Sequence, residues 1–369
     1  MHVHVTDATE IALSALVAHG VTGVRDMGGD LALIDRWRKE IRSGDRVGPR
    51  IVRPGPYVDG HKPDAPFRFE IADSTEARAA VMELVGRGVD FIKLHNAVPR
   101  DAYFALAEAA RDEGIPFAGH VPVTVEPIEA IRAGQASLEH AITFFEGTFA
   151  AGFSSTGAML TALTEFVDDG GAELIDALAR HRTHVTPTLV ATERRGRRAP
   201  LADDPPMCQR YVAASLRDQW NLFSPVQEAD RNPSVVEARQ RMTELMVRFT
   251  GRLREAAVPV LAGSDLAARD VCPGTSLHEE LEMLVDAGLT PLEALSAATT
   301  TPARFLGLEQ EIGTIEPGKW ADLVVLDGDP LADISNVGRV HAVVMRGQLL
   351  DRDQLDELLE GVAELAPNR

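Results

Sequence analysis

Short apolar stretches alternate with amphipathic helical stretches along most of this chain, and this alternation limits the fold more than any other feature. Eight stretches read as strands, and most are followed by a segment with helical periodicity. They are Val3–Val5, Val21–Met27, Arg50–Val58, Asp90–His95, Pro116–Val121, Ser137–Ala141, His184–Leu189 and Val258–Asp265. Strands joined by helices form parallel sheets, and eight such units are typical of a (β/α)8 barrel. The predicted fold class is therefore α/β, a TIM-like barrel.

The alternation is interrupted twice, which predicts the domain organisation. Residues 190–257 separate the last two strands and contain two predicted helices, Met207–Leu222 and Ser234–Ala256. A long insertion at this point is typical of a lid or a wall of a substrate site. After residue 306, short β stretches with turn residues replace the alternation, and Asp353–Leu365 is predicted to be a terminal helix. The predicted parts are a barrel over 1–306 with the insertion 190–257, strands of a small, incomplete β-sandwich over 307–350, and a C-terminal helix and tail over 351–369.

Composition excludes several classes of partner. A chain of 369 residues can form a large barrel with an additional module. Its net charge of −19 argues against nucleic acid or an anionic membrane surface, and no apolar run reaches the length of a membrane span. The expected partner is a small-molecule or short-peptide substrate, with a homo-oligomer left open. A cytoplasmic location is the default expectation, and an N-terminal signal lost from the sequence is left open.

The chain has two cysteines, Cys208 and Cys272, and neither lies in a CxxC motif. Two cysteines cannot form a disulfide framework of the kind that supports small secreted domains. The expectation is two partly buried free thiols, as in a protein of a reducing compartment.

Six side chains with metal-binding or acid–base chemistry stand at five of the predicted strands, two of them on the first strand and the others near the ends of four more. They are His2, His4, Lys93, His120, His140 and Asp265. The first two are two residues apart in a strand and so point to the same face. Because the carboxyl ends of barrel strands meet at one mouth, all six are expected there. Buried lysine and aspartate are rare unless they are paired or bound to metal, so the set predicts more than packing.

Three further side chains are candidates for contact with a substrate. His95 lies two residues after Lys93 and faces the same mouth, although a packing role is about equally open. Tyr57 and His61 lie at the end of the third strand and in the loop that follows. Arg25 and Asp26 end the second strand, where they are expected to order the mouth by pairing and not to act in catalysis.

With these motifs, the chain resembles the amidohydrolase superfamily, in the branch of imidazolonepropionase-like and prolidase-like metal-dependent hydrolases. The resemblance covers nearly the whole chain. Its motifs are the initial HVH, GVTGVRDMGG, GPRIVRPGP, DFIKLH, PFAGHVP, SLEHA, LAGSD and the C-terminal run ATTTPARFLGLEQEIGTIEPGKWADLVVLDGDPL. The motifs are specific for the superfamily but do not identify a substrate.

The resemblance implies a centre of two divalent ions, most often zinc. His2, His4 and Asp265 would hold one ion, and His120 and His140 would hold the second. Lys93, carboxylated on its amine, would bridge the two. Carboxylation needs the neutral amine, which burial beside cations favours because it lowers the lysine pKa. An imidazole-rich set favours zinc over magnesium or calcium.

The implied activity is hydrolysis of the amide C–N bond of a small peptide or peptide-like substrate, with Xaa-Pro dipeptidase as one form. Hydroxide held by the metal would be the nucleophile, and Asp265 would carry its proton to the leaving amine. A role of Asp265 as a ligand alone stays open.

The sequence also allows other interpretations. They are hydrolysis of a cyclic amide or imidazolone ring, hydrolysis of an ester or phosphotriester, a mononuclear deaminase of the same superfamily, and a truncated barrel without catalysis. Lys93 argues against the deaminase, because such sites lack a bridging lysine. Members of the superfamily carry a further segment before the HxH motif that completes the β-sandwich. Its absence from this sequence predicts unpaired edges on the C-terminal strands.

Overall fold

Strands and helices alternate through most of the chain. The computed structural model describes residues 1–61, 67–144, 155–196, 207–223 and 232–369. Its strands are β1 (Gly23–Arg25), β2 (Arg50–Val52), β3 (Tyr57–Asp59), β4 (Arg68–Glu70), β5 (Ile92–Leu94), β6 (Phe117–Gly119), β7 (Ser137–Glu139), β8 (His184–Thr186), β9 (Leu323–Leu326), β10 (Val340–Met345) and β11 (Gln348–Leu350).

Most helices fall between these strands, two precede the first strand, and one follows the last. They are α1 (Val5–Ala8), α2 (Ile11–Ala18), α3 (Leu31–Ser43), α4 (Ser74–Gly86), α5 (Arg100–Asp112), α6 (Pro127–Arg132), α7 (Thr156–Glu165), α8 (Ala172–His181), α9 (Leu189–Gly196), α10 (Ala214–Phe223), α11 (Pro233–Glu255), α12 (Thr275–Asp286), α13 (Pro291–Ala298), α14 (Thr300–Phe305) and α15 (Arg352–Leu365). None of the helices in the described ranges is long and apolar enough to cross a membrane.

The central sheet is parallel. Six of its strands lie in the order β4-β3-β5-β6-β7-β8, and β1 pairs in parallel with β2. Single-residue bridges join Val3 to Asp26 and to Leu266, and join Val185 to Val260. The predicted α/β class with a parallel sheet, as in a TIM-like barrel, is confirmed. Closure of eight strands into one barrel is not shown, because the sheets are joined at these places by single bridges only.

The predicted lengths of the first and last strands are wrong. Val5 begins helix α1, and its amide donates to Oδ1 of Asp26 over 2.9 Å. The strand predicted over residues 258–265 is reduced to the bridge at Val260, because the amide of Ala262 bonds to the carbonyl of Ala297. Tight backbone contacts with neighbouring segments replace regular pairing at both places.

The third predicted strand, residues 50–58, is two strands, β2 and β3. Pro54 and Pro56 lie between them, and neither has an N–H group to donate to a sheet. Strand β4, which the sequence did not predict, pairs with β3 in register Val58 to Phe69.

One predicted helix is also divided. The helix predicted over 207–222 is a 3-10 turn, Met207–Tyr211, followed by α10. A similar break separates α13 from α14 at Thr299, whose φ of −130° and ψ of −80° are not helical. The helix predicted over 234–256 is α11, which is bounded by the side-chain cap of Asn232.

Residues 323–350 form a small antiparallel sheet in the order β11-β10-β9. Val340, Val343 and Met345 of this sheet pack in one apolar cluster with Val17 and Ala18 of α2. A second sheet that would complete a sandwich is not seen in the described part of the chain. The predicted sandwich is therefore not confirmed, and the division into parts at 306 and 350 stays a prediction.

The expectation of free thiols is wrong, because Cys208 and Cys272 form a disulfide. The two residues are 64 positions apart in the sequence, and the fold brings their Cα atoms to 5.9 Å. The argument for a reducing compartment thereby loses its support, and a cytoplasmic location stays a prediction.

A partly buried histidine on α12, His278, is expected to make the stability of the fold depend on pH. Nε2 of His278 lies 2.9 Å from the carbonyl oxygen of His19, and burial lowers the pKa of His278 from 6.5 to about 4. The unfolded chain therefore binds this proton at higher pH than the folded chain does. Stability from this group is complete above pH 6.5 and falls as the pH drops towards 4.

We expect His278→Gln to reduce the loss of unfolding free energy between pH 6.5 and 5, by up to about 1.4 kcal/mol per pH unit. Urea denaturation of both proteins at several pH values measures the slope. Equal slopes in the two proteins would show that this imidazole is not the source.

Candidate metal centre

Five aromatic side chains form a continuous series at the carboxyl ends of the parallel strands. Ring centroids are 5.4 Å apart for His2 and His4, 4.5 Å for His2 and His140, and 4.7 Å for His140 and His120. His95 continues the series at 4.3 Å from His120. The structure therefore brings together the histidines that the sequence placed at the ends of different strands.

His2, His4 and Asp265 form one compact group of donor atoms. Their ligand atoms all lie within 4.8 Å of one another. Oδ1 of Asp265 is 3.3 Å from Nε2 of His2 and 3.6 Å from Nε2 of His4. Burial acts to raise the pKa of Asp265, but His140 and His2 hold it well below its usual range. An ionised carboxylate and two imidazoles make a donor set that suits a divalent transition metal.

His120 and His140 present a second pair of donors. Their Nε2 atoms are 3.0 Å apart. Nδ1 of His120 contacts Oδ1 of Asn96, and Nδ1 of His140 lies 2.8 Å from Oγ1 of Thr188. The amide oxygen of Asn96 accepts from Nδ1 of His120, which leaves Nε2 of His120 with its lone pair. The Nε2 atoms of both rings meet at one place, as two imidazole ligands of a metal ion do, so the residues fit a metal.

The electrostatics of this pair also favour metal binding. Burial and the nearby charge of Lys93 hold the pKa of His120 well below its ordinary value. The imidazole is therefore neutral at pH 7, which is the form that binds a metal.

Lys93 is buried beside these groups. It lies in the middle of β5, is 1% exposed, and its Nζ has no hydrogen-bond partner in the described part of the chain. Burial lowers the pKa of Lys93 to about 8, although the carboxylates of Glu139 and Asp265 partly oppose this. A buried amine without a partner is costly. The cost is explained if the amine is modified or lies against a ligand.

Two glycines make room for these side chains. A Cβ on Gly119 would lie 2.3 Å from the carbonyl oxygen of Leu94 and 2.8 Å from Cδ of Lys93. A Cβ on Gly263 would lie 2.9 Å from Cβ of His2. Any larger residue at either position would push a donor side chain out of place.

Two of the candidate metal ligands have strained backbones. His140 has φ 65° and Asp265 has φ 59°, which lie in the left-handed region that residues with a Cβ rarely adopt. Strain of this kind is concentrated at functional sites, where neighbouring contacts hold it.

Glu139 is a residue of the centre that the sequence analysis missed. Its Oε2 accepts a hydrogen bond from Nδ1 of His2 over 2.9 Å, and its Oε1 lies 2.7 Å from Nη2 of Arg25. Burial acts to raise the pKa of Glu139, but Arg25 and His2 hold it well below its usual range. The carboxylate therefore fixes the His2 ring with Nε2 directed at Asp265. Arg25 does pair, as predicted, but with Glu139.

A signal for Glu139 was present in the sequence. It immediately precedes His140 in SLEHA, and a carboxylate inside a buried strand needs a cationic or metal-linked partner. Asn96 and Thr188 gave no comparable signal, because an amide or a hydroxyl in a loop is common.

The substrate-contact candidates divide into two groups. Nδ1 of His95 is 3.2 Å from Oδ2 of Asp59, and Tyr57 lies 5.2 Å from the His95 ring. His95 and Tyr57 therefore adjoin the histidine series. His61 is exposed, and its Nδ1 contacts Glu70 at 2.6 Å. Among the described residues, no contact joins His61 to the series.

Curated proteins match parts of the chain. Imidazolonepropionase from Rhizorhabdus wittichii is 40% identical over 87 residues, which are 22% of this chain and 21% of that protein. Adenine deaminase from Methanothermobacter thermautotrophicus is 31% identical over 163 residues, which are 42% of this chain and 28% of that protein. The matched part of the chain thus spans only 21% to 28% of the length of these relatives.

Solved structures match nearly all of the chain. Bottromycin amidohydrolase superposes with a TM-score of 0.79 at 26% identity, over 99% of this chain and 78% of that one. A Xaa-Pro dipeptidase with bound methionine in its active site superposes with a TM-score of 0.67 at 21% identity, over 95% of this chain and 85% of that one. At 21% identity, the similarity to the dipeptidase structure shows the fold alone.

A family model gives the assignment. The model of the Amidohydrolase family matches residues 4–350. Members of this family are hydrolases that generally use metal ions, and the match includes all of the donors described above except His2. The chain therefore belongs to the amidohydrolase family.

Proposed function

We propose that this chain is a metal-dependent hydrolase that cleaves the amide C–N bond of a small peptide or peptide-like substrate. The observation that carries the proposal is the approach of the Nε2 atoms of His120 and His140 to 3.0 Å, beside the compact group of His2, His4 and Asp265. The likeness to an amidohydrolase over 99% of the chain supports an amide as the substrate.

The donors suit two ions, most plainly zinc. His2, His4 and Asp265 would hold one ion, His120 and His140 the other, and Lys93 as a carboxylated lysine would link them. Bound ions of this kind supply Lewis-acid activation of water and of the substrate carbonyl group. Because the parallel strands bring these donors to one end of the sheet, the proposed architecture is a (β/α)8 barrel over residues 1–306.

The residues of the chain itself would position the substrate and move the proton. Asp265 is ionised and adjoins both donor groups, so it is the base that accepts a proton from the attacking water and returns it to the leaving amine. The Asp59 carboxylate orients His95 towards the mouth, where His95 and Tyr57 can hold a polar group of the substrate. His61 stays a weaker candidate for the same role.

The proposal is tested by metal content and by a substrate panel. Untagged protein, purified with bicarbonate present, should contain about two zinc or similar ions per chain. It should hydrolyse dipeptides such as Xaa-Pro or N-acyl amino acids. Protein that binds less than about half an ion per chain after reconstitution, or that acts on phosphotriesters alone, would contradict it.

Hydrolysis of a cyclic amide is the second candidate. It is favoured by the 40% identity with an imidazolonepropionase over 87 residues. Lactams and imidazolones in the same panel separate the two, because only the ring hydrolase should turn them over faster than linear dipeptides.

His95 provides a prediction about substrate binding. Because its ring is held by Asp59 and lies beside the donor series, we expect His95→Gln to raise KM for the best substrate about tenfold, with a smaller effect on kcat. The matched control is His341→Gln, at an exposed ring that pairs with Asp327 in the C-terminal sheet, which should leave KM unchanged. Steady-state kinetics measure both, and the assignment fails if the two variants behave alike.

A further inference from the structure

The loop that follows Asp265 has an unusual backbone. Asp265, Ala267 and Asp270 have φ values of 59°, 89° and 60°. Residues with a Cβ rarely adopt this region, and three within six positions persist only where neighbouring contacts hold them. The position of the Asp265 carboxylate therefore depends on whatever fixes this loop.

Two hydrogen bonds reach the loop from one segment of the insertion, residues 207–223. The indole N–H of Trp220 donates to the carbonyl oxygen of Ala267 over 2.8 Å. The side-chain amide of Gln209 donates to Oδ1 of Asp270 over 2.7 Å. Both acceptors lie within five residues of Asp265: the first bond holds the backbone at Ala267, and the second holds the side chain of Asp270.

A covalent bond from the same segment holds the far end of the loop. Cys208 is joined to Cys272, which is fully buried and whose amide donates to Oγ of Ser276. Trp220 is itself 7% exposed and lies in one apolar cluster with Leu266 and Cys272. The segment is therefore packed against the loop as well as bonded to it.

We propose that residues 207–223 form a clamp that positions Asp265 for metal binding, with Trp220 and the Cys208–Cys272 disulfide as its main contacts. The clamp residues touch neither metal nor substrate; they act through Ala267 and Cys272. This inference rests on the proposed function, because it concerns a metal held by Asp265.

The first test compares two tryptophans of the same apolar cluster. Trp220→Phe keeps the ring packing but removes the bond to Ala267. Trp37→Phe removes an indole that is 1% exposed and whose Nε1 has no hydrogen-bond partner among the described residues. Zinc alone is the probe, and chelator competition on the full chain gives its dissociation constant.

We expect Trp220→Phe to raise the zinc dissociation constant about 10- to 100-fold. We expect Trp37→Phe to leave the zinc dissociation constant unchanged, even if this variant lowers the melting temperature as much as Trp220→Phe does. Equal dissociation constants for Trp220→Phe and the unchanged chain would overturn the clamp alone. An unchanged chain that binds no zinc would overturn the proposed function and the clamp with it.

The second test uses the disulfide. The chain has two cysteines, and both are in this bond, so a phosphine reductant acts here alone. The phosphine gives two electrons and takes the oxygen of one water as phosphine oxide; the S–S bond breaks, and the two protons of that water complete two thiols.

Reduction should raise the zinc dissociation constant of the unchanged chain. The double variant Cys208→Ser with Cys272→Ser should have a raised dissociation constant from the start and should not respond to the reductant. A reduced chain, verified by mass, that binds zinc as tightly as the oxidised chain would overturn the role of the disulfide in the clamp.

Discussion

Replacing Asp265 with asparagine should lower kcat for amide hydrolysis by about 10²- to 10⁴-fold, the range expected for loss of a positioned acid–base group. Asparagine has nearly the same shape but can neither accept a proton nor carry the charge that three neighbouring imidazoles face. Metal content per chain should fall as well, because one anionic donor is lost.

The matched control for this change is Asp322→Asn. The side chains of Asp322 and Asp265 are each 8% exposed, and Asp322 pairs with Arg50 at the C-terminal sheet, away from the metal centre. We expect this control to lower stability and to leave kcat and metal content unchanged. An Asp265→Asn protein with full metal content and a kcat within about threefold of the unchanged chain would contradict the role of Asp265.

The same variant distinguishes a proton carrier from a simple ligand. The leaving group of an amide is an amine, which must be protonated as it departs. The leaving group of an activated ester is a stable anion, which needs no proton. With metal restored by excess zinc, Asp265→Asn should lose much more activity on amides than on activated esters. Equal losses on both substrates would mean that Asp265 acts as a ligand alone.

The grouping of these side chains could be predicted because the geometry of a parallel sheet converts sequence position into spatial position. Residues late in neighbouring parallel strands lie at the same end of the sheet, whatever their neighbours in the sequence are. His120 and His140, for example, are in contact although nothing in their local sequences refers to the other. Strand positions alone were enough for this part of the site.

Contacts that depend on side-chain direction or on loop path could not be predicted in this way. The hydrogen bond between His2 and Glu139 joins the first and sixth predicted strands, and the sequence contains nothing that pairs them. The disulfide depends on how the insertion returns to the loop after Asp265. Strand extents failed for a similar reason: at Val5 and Ala262, hydrogen bonds from distant residues replace sheet pairing.

Replacing Lys93 with alanine should reduce activity by more than about 100-fold, the upper end for loss of a group that supports a metal. The buried amine has no hydrogen-bond partner among the described residues, and its pKa is lowered to about 8 by burial. A neutral amine can add CO2, and the resulting carbamate would give two oxygen donors between the two groups of imidazoles. Removing it should reduce the metal content from about two ions per chain to about one.

Acetate or propionate should restore part of the activity of Lys93→Ala, because a small carboxylate can occupy the space that the side chain leaves. Lys93→Met is the matched control: methionine fills most of that space without offering an oxygen, so the same carboxylates should not restore activity. Rescue of alanine but not of methionine would separate a bridging carboxylate from a packing effect. If Lys93→Ala keeps full activity without added carboxylate, two ions linked through this residue are not the catalytic form, and a centre built on His2, His4 and Asp265 alone becomes the better account.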